Sequence, residues 1–461
     1  MMSNYTKDLW TKDKDHLLHP WTHFDSFKTD GALVLEKGEG SYLYDSDGKR
    51  YFDAVGGLWC TNIGLGREDM AEAIAEQVRK MAYASAFVDL TNPPAVELAA
   101  KLAQLAPGAL NHVFFSTGGS TAVDTAFRLI QYYQNCRGKH GKKHVISRKG
   151  SYHGTTYAAM SIGGKKADHV PEFDYISDTI HHISCPNHYR APDGMSEADY
   201  LELLVRELED KILELGPDKV AAFFAEPIMG AGGVVVPPRD YQRRTREVCK
   251  THDVLYVADE VVTAFGRLGH WFASQEVFGI EPDIVTCAKG LSSGYLPIGA
   301  TLYSDEIHET ISADNPDRVF AHGFTYSGHP VCCAAALKNI EIMEREDILA
   351  NAREVGSYFE TRLQTLRELP IVGDVRGMKL MMCIENVANK DTKETFPDAM
   401  NIGKRIANKC DEMGLIVRPI IHLNVMSPPL IMTKDEVDFT VETLAKGIRA
   451  VVDDLVRAGE L

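Results

Sequence analysis

Residues 254–294, reading VLYVADEVVTAFGRLGHWFASQEVFGIEPDIVTCAKGLSSG, constrain this chain most. Two apolar, β-rich runs each end in charge: Val254-Leu255-Tyr256-Val257-Ala258 delivers Asp259-Glu260, and Ile284-Val285-Thr286-Cys287-Ala288 delivers Lys289-Gly290. Short runs apolar on every residue suit parallel strands buried on both faces. Ligands of open α/β sheets collect outside the carboxyl ends of such strands. An acid and a lysine placed there face one crevice. A desolvated lysine loses its proton more readily, and its amine becomes a nucleophile. The chemistry open to it is Schiff-base formation, with a carbonyl substrate or with pyridoxal phosphate. The competing reading is plain: acids and lysines also end strands because the chain is surfacing.

Size and composition narrow the rest. A chain of 461 residues exceeds one ordinary core, so two domains are expected. A net charge of −16 argues against a nucleic-acid surface. No run is apolar for long enough to span a bilayer. The N-terminal MMSNYTKDLWTKDKDHLL lacks an apolar signal core, and nine cysteines lie scattered without a framework. The expected location is the cytoplasm.

The first twenty or so residues read as an arm, followed by His16 to Thr22, an aromatic stretch that either covers a site or anchors the arm. Strands are expected over 33–35, 41–44 and 50–52, with a hairpin turn at Asp47-Gly48. Trp59 sits in a glycine-rich loop, where a packing anchor is the ordinary reading. Helical patterns cover 68–81 and 94–105. Next comes a strand at 112–116, a small-residue loop containing Gly118, Gly119, Ser120 and Thr121, and a helix over 122–134. Strand, small loop and helix N-terminus make a phosphate cradle of free N–H groups, to which Ser120 and Thr121 can add hydroxyls. Neither G-x-x-x-x-G-K-[ST] nor G-x-G-x-x-G is present, so nucleotide sites lack their usual fingerprint.

His181-His182-x-x-Cys185-x-x-His188 has the look of a metal cluster, but Pro186 breaks it and no second ligand pair closes a shell, so no metal is expected. A strand over 221–225 ends in Glu226, a third acid at a strand's carboxyl end. Strands are also expected near 372–375 and 379–384. Arg418 closes the apolar run 414–417 and reads by itself as a surface or ion-pair residue.

The residues around the acid and lysine carry a family resemblance. Asp259-Glu260-Val261-Val262, Phe265-Gly266-Arg267, Pro282-Asp283-Ile284, Ala288-Lys289-Gly290 and Gly294-Tyr295-Leu296-Pro297-Ile298-Gly299-Ala300, with Phe320 to Pro330 beyond them, resemble the class III pyridoxal-phosphate aminotransferases in order and spacing. The resemblance implies an α/β, fold type I enzyme, its large domain built on a mostly parallel seven-stranded sheet beside a smaller α+β domain. The implied division is 1–70 for the arm and part of the small domain, 71–335 for the large domain and 336–461 for the rest of the small one.

It implies pyridoxal 5'-phosphate as cofactor and Lys289 and Asp259 as catalytic residues, the latter against the pyridinium nitrogen. Cofactor contacts are implied at Gly118, Gly119, Ser120, Tyr152, His153, Glu226, Val261 and Thr325. Thr325 is expected to reach the phosphate of a second subunit, so a homodimer with shared sites, or a tetramer, is implied. Trp59, Phe87, Tyr152 and Arg418 are the implied substrate contacts, with Arg418 as a mobile carboxylate binder. Departures fall in the phosphate loop, where relatives carry serine at Gly118, glutamate at Thr121 and asparagine at Val123.

The implied reaction moves an amino group from an amine or ω-amino acid, polyamines and taurine included, to a keto acid such as pyruvate by a ping-pong route. A diaminopelargonate-type transaminase, a glutamate-semialdehyde-type aminomutase and a non-enzymatic pyridoxal-phosphate-binding regulator are the alternatives.

Overall fold

The structure, a computed structural model, describes residues 3–461. In chain order, strands β1 (Leu35–Glu39), β2 (Tyr42–Asp45) and β3 (Arg50–Asp53) form an antiparallel meander. The arm before them is a helix, Asn4–His16, pinned to the expected turn: Thr6 Oγ1 donates to Asp47 at 2.8 Å.

The next seven strands form the central sheet: β4 (His112–Ser116), β5 (His144–Arg148), β6 (Ile180–Ile183), β7 (Val220–Ala225), β8 (Leu255–Asp259), β9 (Ile284–Cys287) and β10 (Gly299–Tyr303). Their order is β4-β10-β9-β8-β7-β5-β6. Only β10 runs against its neighbours, and β9 through β6 are parallel. Every residue of β7, β8 and β9 is buried, which explains their unbroken apolar sequence. The expected mostly parallel seven-stranded sheet is present, and Glu226, Asp259 and Lys289 all mark carboxyl ends of adjacent parallel strands.

Five short strands complete the chain: β11 (Val372–Met378), β12 (Met381–Asn386), β13 (Leu415–Ile416), β14 (Arg418–Ile420) and β15 (Leu423–Met426). β13 pairs in parallel with β3, joining both ends of the chain in one sheet, whereas β14 enters a second sheet of order β11-β12-β15-β14. The chain changes sheets at Val417, so Arg418 opens a strand instead of closing the apolar run. The residue 335 boundary falls inside helix Pro330–Arg345, whose Ile340 shares one buried cluster with Val285 and Leu302 of the central sheet and Val441 of the last helix. That helix, Lys434–Ala458, opens with a capping box between Thr433 and Glu436. No helix among the described residues is long and apolar enough to cross a membrane.

The histidines at 181 and 182 are used in packing. His181 bonds His144 at 2.7 Å, and His182 Nε2 bonds the Ile162 carbonyl at 3.0 Å.

Candidate active site

A cavity of about 590 Å³ opens at the carboxyl edge of the central sheet. Asp259, the last residue of β8, forms part of its floor. Its Oδ1 accepts from the Val261 N–H at 3.1 Å and the Thr286 hydroxyl at 3.2 Å, and its Oδ2 bonds His153 Nδ1 at 2.7 Å. Both groups of the pair are almost wholly buried. With Nδ1 engaged, His153 Nε2 stays buried and without a partner among the described residues, a polar atom awaiting a ligand.

Lys289 stands two residues beyond β9, with φ of 40°, a left-handed backbone at a non-glycine residue. Its Nζ makes no hydrogen bond to a described residue and lies 5.9 Å from the centre of the Trp59 ring. Burial pulls the Lys289 ammonium down to about 8, against the opposing pull of Asp259, Cys60 and Glu226. A neutral amine is therefore accessible near physiological pH.

At the far end of the floor, helix Gly119–Cys136 begins three residues before the expected start. Its first N–H groups have no intrahelical acceptor and carry the positive end of an eighteen-residue helix. A Cβ on Gly119 would come within 2.9 Å of Val261 Cγ1, so only glycine lets the loop approach that wall. Gly154 is held as closely, since a Cβ there would lie 2.6 Å from Ser120 Oγ. Ser120 Oγ accepts from the Thr155 N–H at 3.0 Å, leaving its own proton to donate into the cavity. Thr121 does not join it: its hydroxyl turns back to the Gly118 carbonyl at 2.9 Å. Gly118 does not line the cavity, and open space lies where its side chain would be, so the serine of relatives would fit there.

Glu226 is clamped by the Tyr152 N–H at 3.2 Å and the Gly230 N–H at 2.8 Å. Burial pushes its carboxyl above the usual range. Tyr152 forms one wall, and Trp59, with φ of 67°, another. Arg418 also faces the cavity, half-buried and without a hydrogen bond or ion pair to any described residue. Burial lowers its affinity for its proton.

Of the residues expected at the site, Phe87 and Thr325 do not line this cavity. They lie on an exposed face beside each other: Tyr83 Oη donates to the Thr325 carbonyl at 2.9 Å, and Phe87 packs against Gly323. Three lining residues carried no sequence signal as site residues or only an ambiguous one. Trp21 came from the aromatic stretch, whereas Lys165 and Asp168 lie in the polar segment GGKKADH.

A floor with an unpaired, desolvated lysine, a carboxylate–histidine pair and a helix N-terminus fits an aromatic aldehyde bearing a phosphate. The sequence profile of Aminotransferase class-III matches residues 26–448, and the chain belongs to that family. It is a fold type I enzyme, and its cofactor is pyridoxal 5'-phosphate. Among its relatives, the putrescine–pyruvate aminotransferase of Pseudomonas aeruginosa is 42% identical over 442 residues, covering 96% of this chain and 95% of its own. The (S)-enantioselective ω-transaminase of Thermomicrobium roseum superposes with a TM-score of 0.94 at 41% identity, over 98% of this chain and all of that one. The ω-transaminase of Pseudomonas jessenii, solved in complex with PMP, gives 0.93 at 38% identity over 98% of this chain and 99% of its own.

Proposed function

We propose that this aminotransferase carries an amino group from an amine to pyruvate, in two half-reactions at the one cavity. The observation that carries the reading is Arg418, a half-buried guanidinium facing the same cavity as Lys289, attracted by Tyr152 and Asp168 but with no hydrogen bond or ion pair to a described residue. A keto acid brings the carboxylate that a planar fork of donors suits. An amine brings none, and an unpartnered arginine on a three-residue strand is free to turn away from it.

In this reading Gly119 and Ser120 would hold the phosphate through the helix N-terminus, Gly118 only leads the chain into that turn, and Tyr152 and Val261 would wall the ring. Asp259, fixed by Val261, Thr286 and His153, would keep a proton on the ring nitrogen. Bound in this way, pyridoxal phosphate supplies an electron sink for the bond broken at the amine-bearing carbon. Lys289 Nζ takes the proton from that carbon, which its lowered pKa permits. Glu226 acts at one remove, holding Tyr152 and the Gly230 loop in place. Trp59 bounds the substrate space.

The exposed face carrying Phe87 and Thr325 also presents Val88 and Tyr326, apolar surface that a second copy would cover. This supports a homodimer in which Phe87 and Thr325 complete the other copy's cavity. All nine cysteines are unpaired, which supports action in the cytoplasm.

The direct test incubates the holoenzyme with pyruvate and a panel of amines and follows alanine. Alanine should form with at least one amine lacking a carboxylate. Activity only with α-amino acids would overturn the reading. Asp259→Asn should retain cofactor yet slow each half-reaction by roughly 10²-fold or more, the scale of a lost preorganised electrostatic contact. Single-turnover rates close to wild type would show that Asp259 only braces His153.

A further inference from the structure

Lys289 Nζ has no hydrogen bond to aim it, so the backbone beneath it sets its direction. That backbone is unusual. Lys289 has φ of 40° and Ser293 φ of 50°, two left-handed non-glycine residues enclosing one short turn. Such strain persists only where the surroundings over-determine it.

One side chain outside the cavity touches both ends of this turn. Asn339, on helix Pro330–Arg345, is wholly buried. Its Nδ2 donates to the Gly290 carbonyl at 2.9 Å and the Leu291 carbonyl at 3.0 Å. Its Oδ1 accepts from the Ser293 hydroxyl at 2.6 Å, and the Ile63 N–H donates to that hydroxyl's oxygen at 3.3 Å. Carbonyls only accept, so the Asn339 amide has one workable orientation. From another side Asn62 crowds the turn, since a Cβ on Gly290 would collide with its Nδ2. Asn62 is itself held by the Phe265 carbonyl at 2.7 Å and by Arg267 at 2.8 Å. Asn62 leaves the turn little room, and Asn339 bonds its carbonyls. An apolar side chain at 339 could fill the same space, yet two buried carbonyls would lose their donor.

Resting on the assignment of Lys289 as the cofactor's lysine, we propose that Asn339 is a positioning residue for Lys289, locking the turn in its left-handed form and so keeping Nζ in the cavity. Without the lock, the Gly290 and Leu291 carbonyls turn towards other donors, Lys289 relaxes and its amine gains water. The amine's acidity reports that movement. Burial holds the ammonium at about 8, with Asp259, Cys60 and Glu226 opposing and Arg418 assisting. Asn339→Leu alters none of those charges.

The test compares Asn339→Leu with Thr245→Val. Thr245 is equally buried, and its hydroxyl bonds only carbonyls of its own helix, at Tyr241 and Gln242. Pyridoxal phosphate is added to each full-length, cofactor-free chain over a range of pH, and growth of the visible band is followed. Only the neutral amine attacks, so the midpoint of the rate reads Lys289. The wild type should give a midpoint near 8. Asn339→Leu should raise it to about 9 or above, slowing capture at pH 7 by about tenfold or more. In the loaded variant, the saturating rate of the amine half-reaction should fall about 10- to 100-fold, with little change in the half-saturating amine concentration. Ser293→Ala, which removes only the bond to Oδ1, should shift the midpoint less in the same direction, and it decides alone where Asn339→Leu fails to fold. A midpoint at or below the wild-type value in these variants overturns the proposal, and so does an equal rise in Thr245→Val. Borohydride reduction of the wild type separates this failure from that of the assignment beneath it. A label on Lys289 with unmoved midpoints removes the proposal alone, whereas a label elsewhere removes both.

Discussion

Replacing Lys289 with alanine should reduce amino transfer by about 10⁴-fold or more, with both half-reactions affected. A positioned general base alone contributes about 10²–10⁴-fold, and the same amine also has to anchor the cofactor. No second lysine in the cavity can stand in for it. Lys165 is held by Asp168, whereas Lys289 is half-buried, unpaired and drawn down to about 8. The wild-type holoenzyme should show a visible absorbance band, and borohydride reduction should leave a phosphopyridoxyl group on the peptide containing Lys289. A label found on Lys165 or any other lysine would end the assignment. So would a Lys289→Ala variant within about tenfold of wild type, far short of what a general base contributes. The residue's strained φ would then be a feature of the turn and nothing more.

What could be read in advance follows from where the physics is local. Strands β7, β8 and β9 are buried on both faces, so their sequences are apolar throughout and the charged residue closing each run marks its carboxyl end. Glu226, Asp259 and Lys289 were legible for that reason. The His153–Asp259 bond joins residues 106 positions apart, and no pattern in either segment encodes it. Resemblance had placed both at the cofactor without pairing them. Arg418 was legible as a residue but not in its setting. An apolar run ending in arginine does not reveal that the chain leaves one sheet at Val417 and enters another. Thr121 looked like a donor to the cradle, but a hydroxyl three residues past a carbonyl at a helix start bonds that carbonyl locally. Lys165 and Asp168 were invisible, because a polar segment in a loop looks the same whether it faces water or a cavity. Phe87 and Thr325 are brought together with each other but away from their own chain's cavity, a placement that no pattern in either segment reveals.

Arg418→Ala should separate the two half-reactions. Pyruvate must place its carboxylate beside the reacting carbon, and Arg418 is the cavity's only cation without a hydrogen bond, an ion pair or the anchoring role proposed for Lys289 among the described residues. Removing one partner of a desolvated charge pair costs about 2–5 kcal/mol, so the pyruvate half-reaction should lose roughly 30- to 5,000-fold in kcat/KM. The amine half-reaction brings no carboxylate, so the ratio of the two should shift by most of that factor. Arg418→Lys should recover only part of it, because an ammonium keeps the charge but not the planar two-donor fork. The placement of Arg418 makes this selectivity physically possible. A fixed, fully buried arginine would be left unpaired by every uncharged donor, at a cost of several kcal/mol. Arg418 instead opens β14, an edge strand of three residues, is only half-buried, and has no bond to break before it turns outward. Equal losses in both half-reactions would show that Arg418 holds β14 against β15 and only shapes the cavity. An unchanged response to pyruvate would move the acceptor's carboxylate to Lys165, and with it the direction from which the keto acid enters.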